Sequence, residues 1–189
     1  TAVNGDSDRT SGTQIYNDNV TFDGGTTFTG TTVTFNEDAT GAGNTLTITG
    51  DAVFGDAAND AITSSTLLVT GTANVTSGTV TTAGATQTYN QDVTLSSDVN
   101  FTGSTVNFDE DVTGGANNLT VTGSVVFGSA GDNDTVSTGE IMVTVAATVN
   151  ALSVASGAES QTYTGAVTVA ANTTFTGNSI TFSDTLNAD

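Results

Sequence analysis

The chain repeats itself, and the repeat unit is long. Thr13-Gln14-Ile15-Tyr16 returns as Thr86-Gln87-Thr88-Tyr89 and again as Ser160-Gln161-Thr162-Tyr163, an offset of about 73 residues each time. The match continues through the apolar positions. Phe28, Phe101 and Phe175 fall in step, as do Val33, Val106 and Ile180, and Phe35, Phe108 and Phe182; the two complete copies also align Leu46 with Leu119 and Phe54 with Phe127. All three tyrosines and eight of the nine phenylalanines occupy repeat-equivalent positions. A period that governs the apolar residues is the signature of a stacked architecture, in which each unit buries its face on the next.

Inside a repeat the short-range pattern is alternation. Val20-Thr21-Phe22, Val33-Thr34-Phe35, Leu46-Thr47-Ile48, Leu67-Leu68-Val69 and Ala73-Asn74-Val75 place apolar residues at i and i+2, which reads as short strands with one face inward. Gly30, Gly50, Gly71, Gly103, Gly123 and Gly177 follow such strands, where a tight corner demands positive φ. Threonine, the most abundant residue of the chain, suits the outward positions, because its branched Cβ favours a pleated surface while its hydroxyl stays in water. Proline is absent, so every strand residue has a backbone donor to give its neighbour. Three sides make a coil of about nineteen residues, and a repeat then holds close to four coils. The expected fold is all-β: a parallel β-helix, or β-solenoid, of roughly ten rungs and about 50 Å at ~4.8 Å per rung.

The organisation follows from the period. Residues 1–12 form a polar leader or the worn end of a preceding repeat, since Thr10-Ser11-Gly12-Thr13-Gln14 resembles the approach to Gln87. Repeat one covers 13–85, repeat two 86–159 and a partial repeat three 160–189, all in one continuous solenoid. The third copy breaks off after its first strands. Either the chain runs on, or another molecule completes the open coil.

Composition removes whole classes of function. Twenty acids face a single base, Arg9, and the net charge is −19. Nucleic acid is excluded as a partner because phosphate neutralisation needs clustered Lys or Arg, and an anionic membrane surface is excluded for the same reason. With no His and no Cys there is no histidine-based triad, no thiolate nucleophile, no ordinary zinc site and no disulfide framework. No stretch is apolar for the length of a membrane span. Glycoside hydrolysis, which needs two carboxylates, stays open as a remote alternative.

The run Thr86-Gln87-Thr88-Tyr89-Asn90-Gln91-Asp92-Val93-Thr94-Leu95, followed by Phe101-Thr102-Gly103-Ser104-Thr105-Val106-Asn107-Phe108 and by Gly115-Ala116-Asn117-Asn118-Leu119-Thr120-Val121, resembles repeats of large secreted bacterial adhesins of the filamentous-haemagglutinin-like type. The likeness covers most of residues 13–189. It implies a right-handed parallel β-helix outside the cell that serves as a stalk or fibre.

Two acidic clusters recur. Glu37-Asp38 and Asp109-Glu110-Asp111 stand at one place in the repeat, with Asp184 weaker in the third copy; Asp60 and Asp134 close two Gly/Asp/Asn-rich stretches at another. Gathered carboxylates are oxygen ligands that Ca²⁺ prefers; for the first cluster the simpler reading is an exposed, solubilising corner, and the stretches ending in Asp60 and Asp134, which faintly resemble a glycine-rich calcium nonapeptide, read more simply as loops. Thr-x-Thr triplets such as Thr32-Val33-Thr34 and Thr120-Val121-Thr122 raise an ice-binding face, against ordinary outward threonine at irregular spacing. The aromatics alternate with threonine and read as interior ladders rather than a sugar-stacking surface. The tyrosines need a partner for the phenol, and the glutamine two residues earlier points to the same side. The expected function is a non-enzymatic, extracellular filament subunit that adds head-to-tail to copies of itself. The alternative is an adhesin stalk that binds glycan or calcium.

Overall fold

The computed structural model describes residues 1–3, 7–41, 43–170 and 172–188. These form 25 short strands and no helix. Their pairings are parallel throughout. The chain is a parallel β-solenoid of about nine turns. Most coils advance by nearly equal steps, as from Gln14 to Val33, from Thr86 to Thr105 and from Ala52 to Ala73.

Each coil has three sides. Face one stacks strands from Ala2–Val3 through Val20–Phe22, Ala61–Ser64 and Ile141–Val143 to Ser179–Phe182. Face two runs from Ser7–Arg9 through Leu67–Val69 and Ala147–Val149 to Leu186–Ala188. Face three runs from Gln14–Tyr16 through Ala73–Val75 and Val93–Leu95 to Thr174–Thr176. Four longer strands, Thr26–Phe35, Leu46–Phe54, Val99–Phe108 and Leu119–Phe127, turn a corner and serve two sides. The register shifts there, between Thr29 and Thr32 and between Thr102 and Thr105.

The sequence repeat and the coil are out of phase. From Gln14–Tyr16 to its equivalent Gln87–Tyr89 the chain passes eleven sides, which is three turns and two further sides rather than the four turns expected. Each copy is therefore turned by one face against the last. The Gln-x-Tyr signature lies on face three at Gln14, on face two at Gln87 and on face one at Gln161.

The interior is the ladder that the alternation calls for. Phe28, Phe35, Phe54, Phe101, Phe108 and Phe127 are fully buried. Tyr16 stacks on Phe35, Tyr89 on Phe108 and Tyr163 on Phe182, with centroids 5.3, 5.4 and 5.2 Å apart. Phe28, Phe101 and Phe175 each meet that tyrosine edge-on. Burying one such ring is worth about 2–3 kcal/mol, and a well-placed aromatic pair adds about 1 kcal/mol.

The glutamine holds the inside of a corner. Gln87 Nε2 donates to the carbonyls of Val80 and Thr102, both at 2.9 Å, and its Oε1 accepts the Tyr89 hydroxyl at 3.1 Å. Gln161 repeats this with Val154, Thr176 and Tyr163. Gln14 does so with Asp8, Thr29 and Tyr16. The amide supplies donors to carbonyls inside the coil, where water cannot reach.

The corner glycines are needed for two different reasons. Only Gly50 (φ +123°) and Gly123 (φ +146°), among the six expected at positive φ, adopt it. A Cβ at either would overlap the carbonyl oxygen of Gly30 or Gly103 on the coil below. At Gly30, Gly71, Gly103 and Gly177 the need is space, because a Cβ would press on atoms of the preceding coil.

Candidate functional site

The acids predicted as calcium ligands lie at corners. Glu37 and Asp38 sit between face three and face one; Asp109, Glu110 and Asp111 sit between face two and face three. The phase slip separates them around the axis, so the two clusters do not share an edge. On each edge the next coil carries a protruding loop, 55–60 in the first copy and 128–134 in the second. The coils containing these loops are the longest, from Ala39 to Ile62 and from Val112 to Val136.

Most of these carboxylates are engaged by the backbone. Asp38 Oδ1 accepts the Ala61 N–H at 2.8 Å, and Asp111 Oδ1 accepts the Thr135 N–H at 2.7 Å and its hydroxyl at 3.1 Å. Each ties the first residue of a strand to the coil beneath it. Asp60 Oδ2 accepts the N–H groups of Asp56 and Ala57 at 3.0 and 2.8 Å, and Asp134 Oδ2 accepts that of Ser129 at 2.8 Å. Asp60 and Asp134 are 2% and 4% exposed, turned inward from loops that lie where the sequence predicts loops. They are internal anchors that close their loops with charge-assisted hydrogen bonds. Gly55 and Gly128, at φ +76° and +79°, open the loops beside these carboxylates. The spacing Gly55 to Asp60 and Gly128 to Asp134 was the available sequence signal. It reads as an Asx-type loop closure once the strand ends on either side are fixed.

Glu37, Asp109 and Glu110 remain outward, and like charges surround them. The Glu37 carboxyl is held above its ordinary range first by the charge of Asp60, then by burial and by Asp56, Asp38 and Asp18. Glu110 is raised by burial and then by Asp134, Asp132, Asp92 and Asp111, and Asp109 by burial and then by Asp134. Among the described residues, no three acids come together closely enough to hold a metal ion. The calcium reading of Glu37, Asp38, Asp60, Asp109, Glu110, Asp111 and Asp134 therefore lacks an assembled ligand set there, and what the corners provide is a negative patch.

Threonine is more regular in space than in sequence. On face one the outward residues Thr21, Thr40, Thr63, Thr81, Thr102 and Thr122 pair in succession, one to each coil. A Thr-x-Thr face needs a second rank beside the first, and here that column reads Ala61, Thr79, Asn100, Thr120, Met142, Thr162, Thr181. The outward column of face two is likewise interrupted, by Leu68, Asn107, Val126 and Asn187. The chain therefore carries one unbroken threonine rank and no double one among these columns.

No family model, curated protein or solved structure matches this chain. A reading of function rests on the chain's own geometry.

Sequence reasoning missed one residue of consequence. Asp8 points into the coil, and Tyr16 donates its hydroxyl to Asp8 Oδ2 at 2.6 Å. Burial, together with that bond and the charge behind it, pushes the Tyr16 phenol well above its usual range. Tyr89 and Tyr163 are raised by burial alone.

Proposed function

We propose that this protein is a non-catalytic structural element, a β-solenoid rod that spans a distance outside the cell as a stalk or filament segment. One observation carries the reading. The side chains that recur with the repeat are used to build the rod: the aromatics form the ladder, the glutamines close inner corners, and Asp38, Asp60, Asp111 and Asp134 tie loops and strand starts. A repeated binding surface would instead keep its side chains outward and in phase with the coil. The threonine rank of face one does so, and the preference of threonine for an exposed pleated surface accounts for it. The extracellular setting is supported by the resemblance to secreted adhesin repeats and by an acidic surface almost without bases.

A head-to-tail filament subunit is the second reading, and the last coil favours it. Phe175 and Phe182 are half-buried and Leu186 is 52% exposed, whereas Phe101 and Phe108 in the complete copy are fully buried. That apolar coil is ready to receive another, from its own chain or from a second molecule. The test is negative-stain electron microscopy with and without calcium, paired with binding to a panel of immobilised glycans and with growth of single ice crystals in the protein's presence. Uniform rods or fibres, with no selective glycan retention and no ice shaping, support the structural role. Saturable capture of one glycan, cleavage of a polysaccharide, or faceted ice growth sinks it and favours a binding or enzymatic surface.

A further inference from the structure

The first described coil differs from its equivalents at one inward position. Asp8 pairs with Phe28 as Val80 pairs with Phe101 and Val154 with Phe175. The glutamine clamp confirms the equivalence, because Gln14 donates to the Asp8 carbonyl as Gln87 and Gln161 donate to those of Val80 and Val154. A carboxylate thus occupies a site that two other copies fill with valine, inside a column otherwise made of apolar side chains. Arg9 cannot neutralise it from the same side, since strand alternation turns the guanidinium outward, where it is exposed. Tyr16 supplies the hydrogen bond instead, through an oxygen that in Tyr89 and Tyr163 bonds only the glutamine.

We infer that Asp8, held by Tyr16, acts as a cap against a second copy of this chain: its inward carboxylate opposes stacking of that copy's last coil on this one. An inward charge at a sheet edge is a known means of refusing a further strand, because a coil laid over it would desolvate a carboxylate that no cation neutralises. The cap withdraws one of the two surfaces a head-to-tail polymer needs and so weighs for a stalk over a filament subunit. The inference rests on the fold and stands apart from the rod's biological role.

The partner that the uncapped end would take is the last coil of a second copy. The winding continues without a gap if that copy is turned by one face, as successive repeats are, which lays Ser7–Arg9 on Ser179–Phe182. Asp8 would then lie over Ile180 and Phe182, whose equivalents Val106 and Phe108 are buried.

Asp8→Val tests this with the residue the other copies use, and it gives Tyr16 the surroundings that Tyr89 and Tyr163 already tolerate. Sedimentation velocity and light scattering are run on the full chain. The wild type is expected at its monomer mass of 18.8 kDa, and Asp8→Val at the same concentration is expected to shift to multiples of it. The double variant Asp8→Val/Ile180→Asp, which places the same device on the other end, is expected to return to monomer. Circular dichroism is expected to remain wild-type for both. Wild-type filaments, an Asp8→Val chain that stays monomeric while folded, or association that survives Ile180→Asp would each overturn the cap and leave the rod reading untouched.

Discussion

The glutamine clamp allows a stability prediction whose size can be worked out beforehand. Gln87 is fully buried and makes three hydrogen bonds, two donated to carbonyls and one accepted from Tyr89. Leucine has nearly the same volume, so Gln87→Leu removes the bonds without opening a cavity. Each bond contributes about 1 kcal/mol net, and the Tyr89 hydroxyl, left buried with no acceptor, costs about 1–3 kcal/mol more. The total is about 4–6 kcal/mol, a large part of the ~5–15 kcal/mol that holds a typical domain.

Two further variants separate the clamp from general core damage. Gln14→Leu should cost only about half as much, because Tyr16 keeps Asp8 as an acceptor and the coil lies at the end of the described stack. Tyr89→Phe removes the orphaned hydroxyl, so Gln87→Leu/Tyr89→Phe should fall short of the sum of the single changes by about 1–2 kcal/mol. Urea unfolding is followed by far-UV circular dichroism and by tyrosine fluorescence, the chain having no tryptophan. A cost for Gln87→Leu below about 1 kcal/mol, or strict additivity with Tyr89→Phe, would refute the claim that the amide is a required donor inside the coil.

Gly123→Ala should destabilise by several kcal/mol, because it combines positive φ with overlap on the Gly103 carbonyl, whereas Gly131→Ala, at φ +96° with open space around it, should cost about 1 kcal/mol; thermal melts compare them. Asp134→Ala should cost about 1–3 kcal/mol and make the 128–134 loop the first site of limited proteolysis, while Asp132→Ala, at an exposed position of the same loop, should not. Glu37, Asp109 and Glu110 titrate above their ordinary values, so their charged forms oppose folding; protonation on descending from neutral pH toward the usual carboxylate range should raise the melting temperature, and Glu37→Gln should reduce that rise. Calcium and magnesium at equal ionic strength should raise the melting temperature equally by screening; a calcium-specific rise would restore the metal reading.

The fold class was legible because the period acts on residues that have to be buried. A phenylalanine that returns with the period between polar residues has one stable place, and Phe28, Phe101 and Phe35, Phe108 all took it. The Gln-x-Tyr pairing was legible for the same reason: two residues apart on a strand means the same side. The phase was not legible. Counting four coils assumes a uniform coil, but loops 55–60 and 128–134 stretch the coils from Ala39 to Ile62 and from Val112 to Val136, and the next ones shorten, from Ala61 to Thr79 and from Thr135 to Ser153. A loop's length reads the same in sequence whether it lies at a corner or adds a side. The same unevenness hid the threonine rank of face one, whose members are irregularly spaced along the chain yet stand one above another. The loops holding Asp60 and Asp134 were legible, but the role of the two acids in closing them was not, since it depends on which amides they accept from. Asp8 escaped notice because one deletion before Gln14 takes it out of alignment with Val80.

The phase slip bears on how such repeats can build a rod. A coil swollen at one corner tilts the coils above it, and in an array of four-turn repeats every swelling would fall on the same edge and the tilts would add to a bend. Eleven sides per repeat put the 55–60 loop on the edge between faces three and one and the 128–134 loop on the edge between faces two and three. Three copies in series would visit all three edges, and their tilts would cancel over eleven turns. The same arithmetic governs the charge. At ~4.8 Å per coil, equivalent acidic loops lie about 18 Å apart along the axis, and the rotation about it adds to that; the distance exceeds the ~8 Å over which charges act at physiological salt. The strongly negative chain can therefore stack its repeats without the acidic loops of one copy repelling those of the next. The residual repulsion stays within each corner, where Glu37 and Glu110 register it.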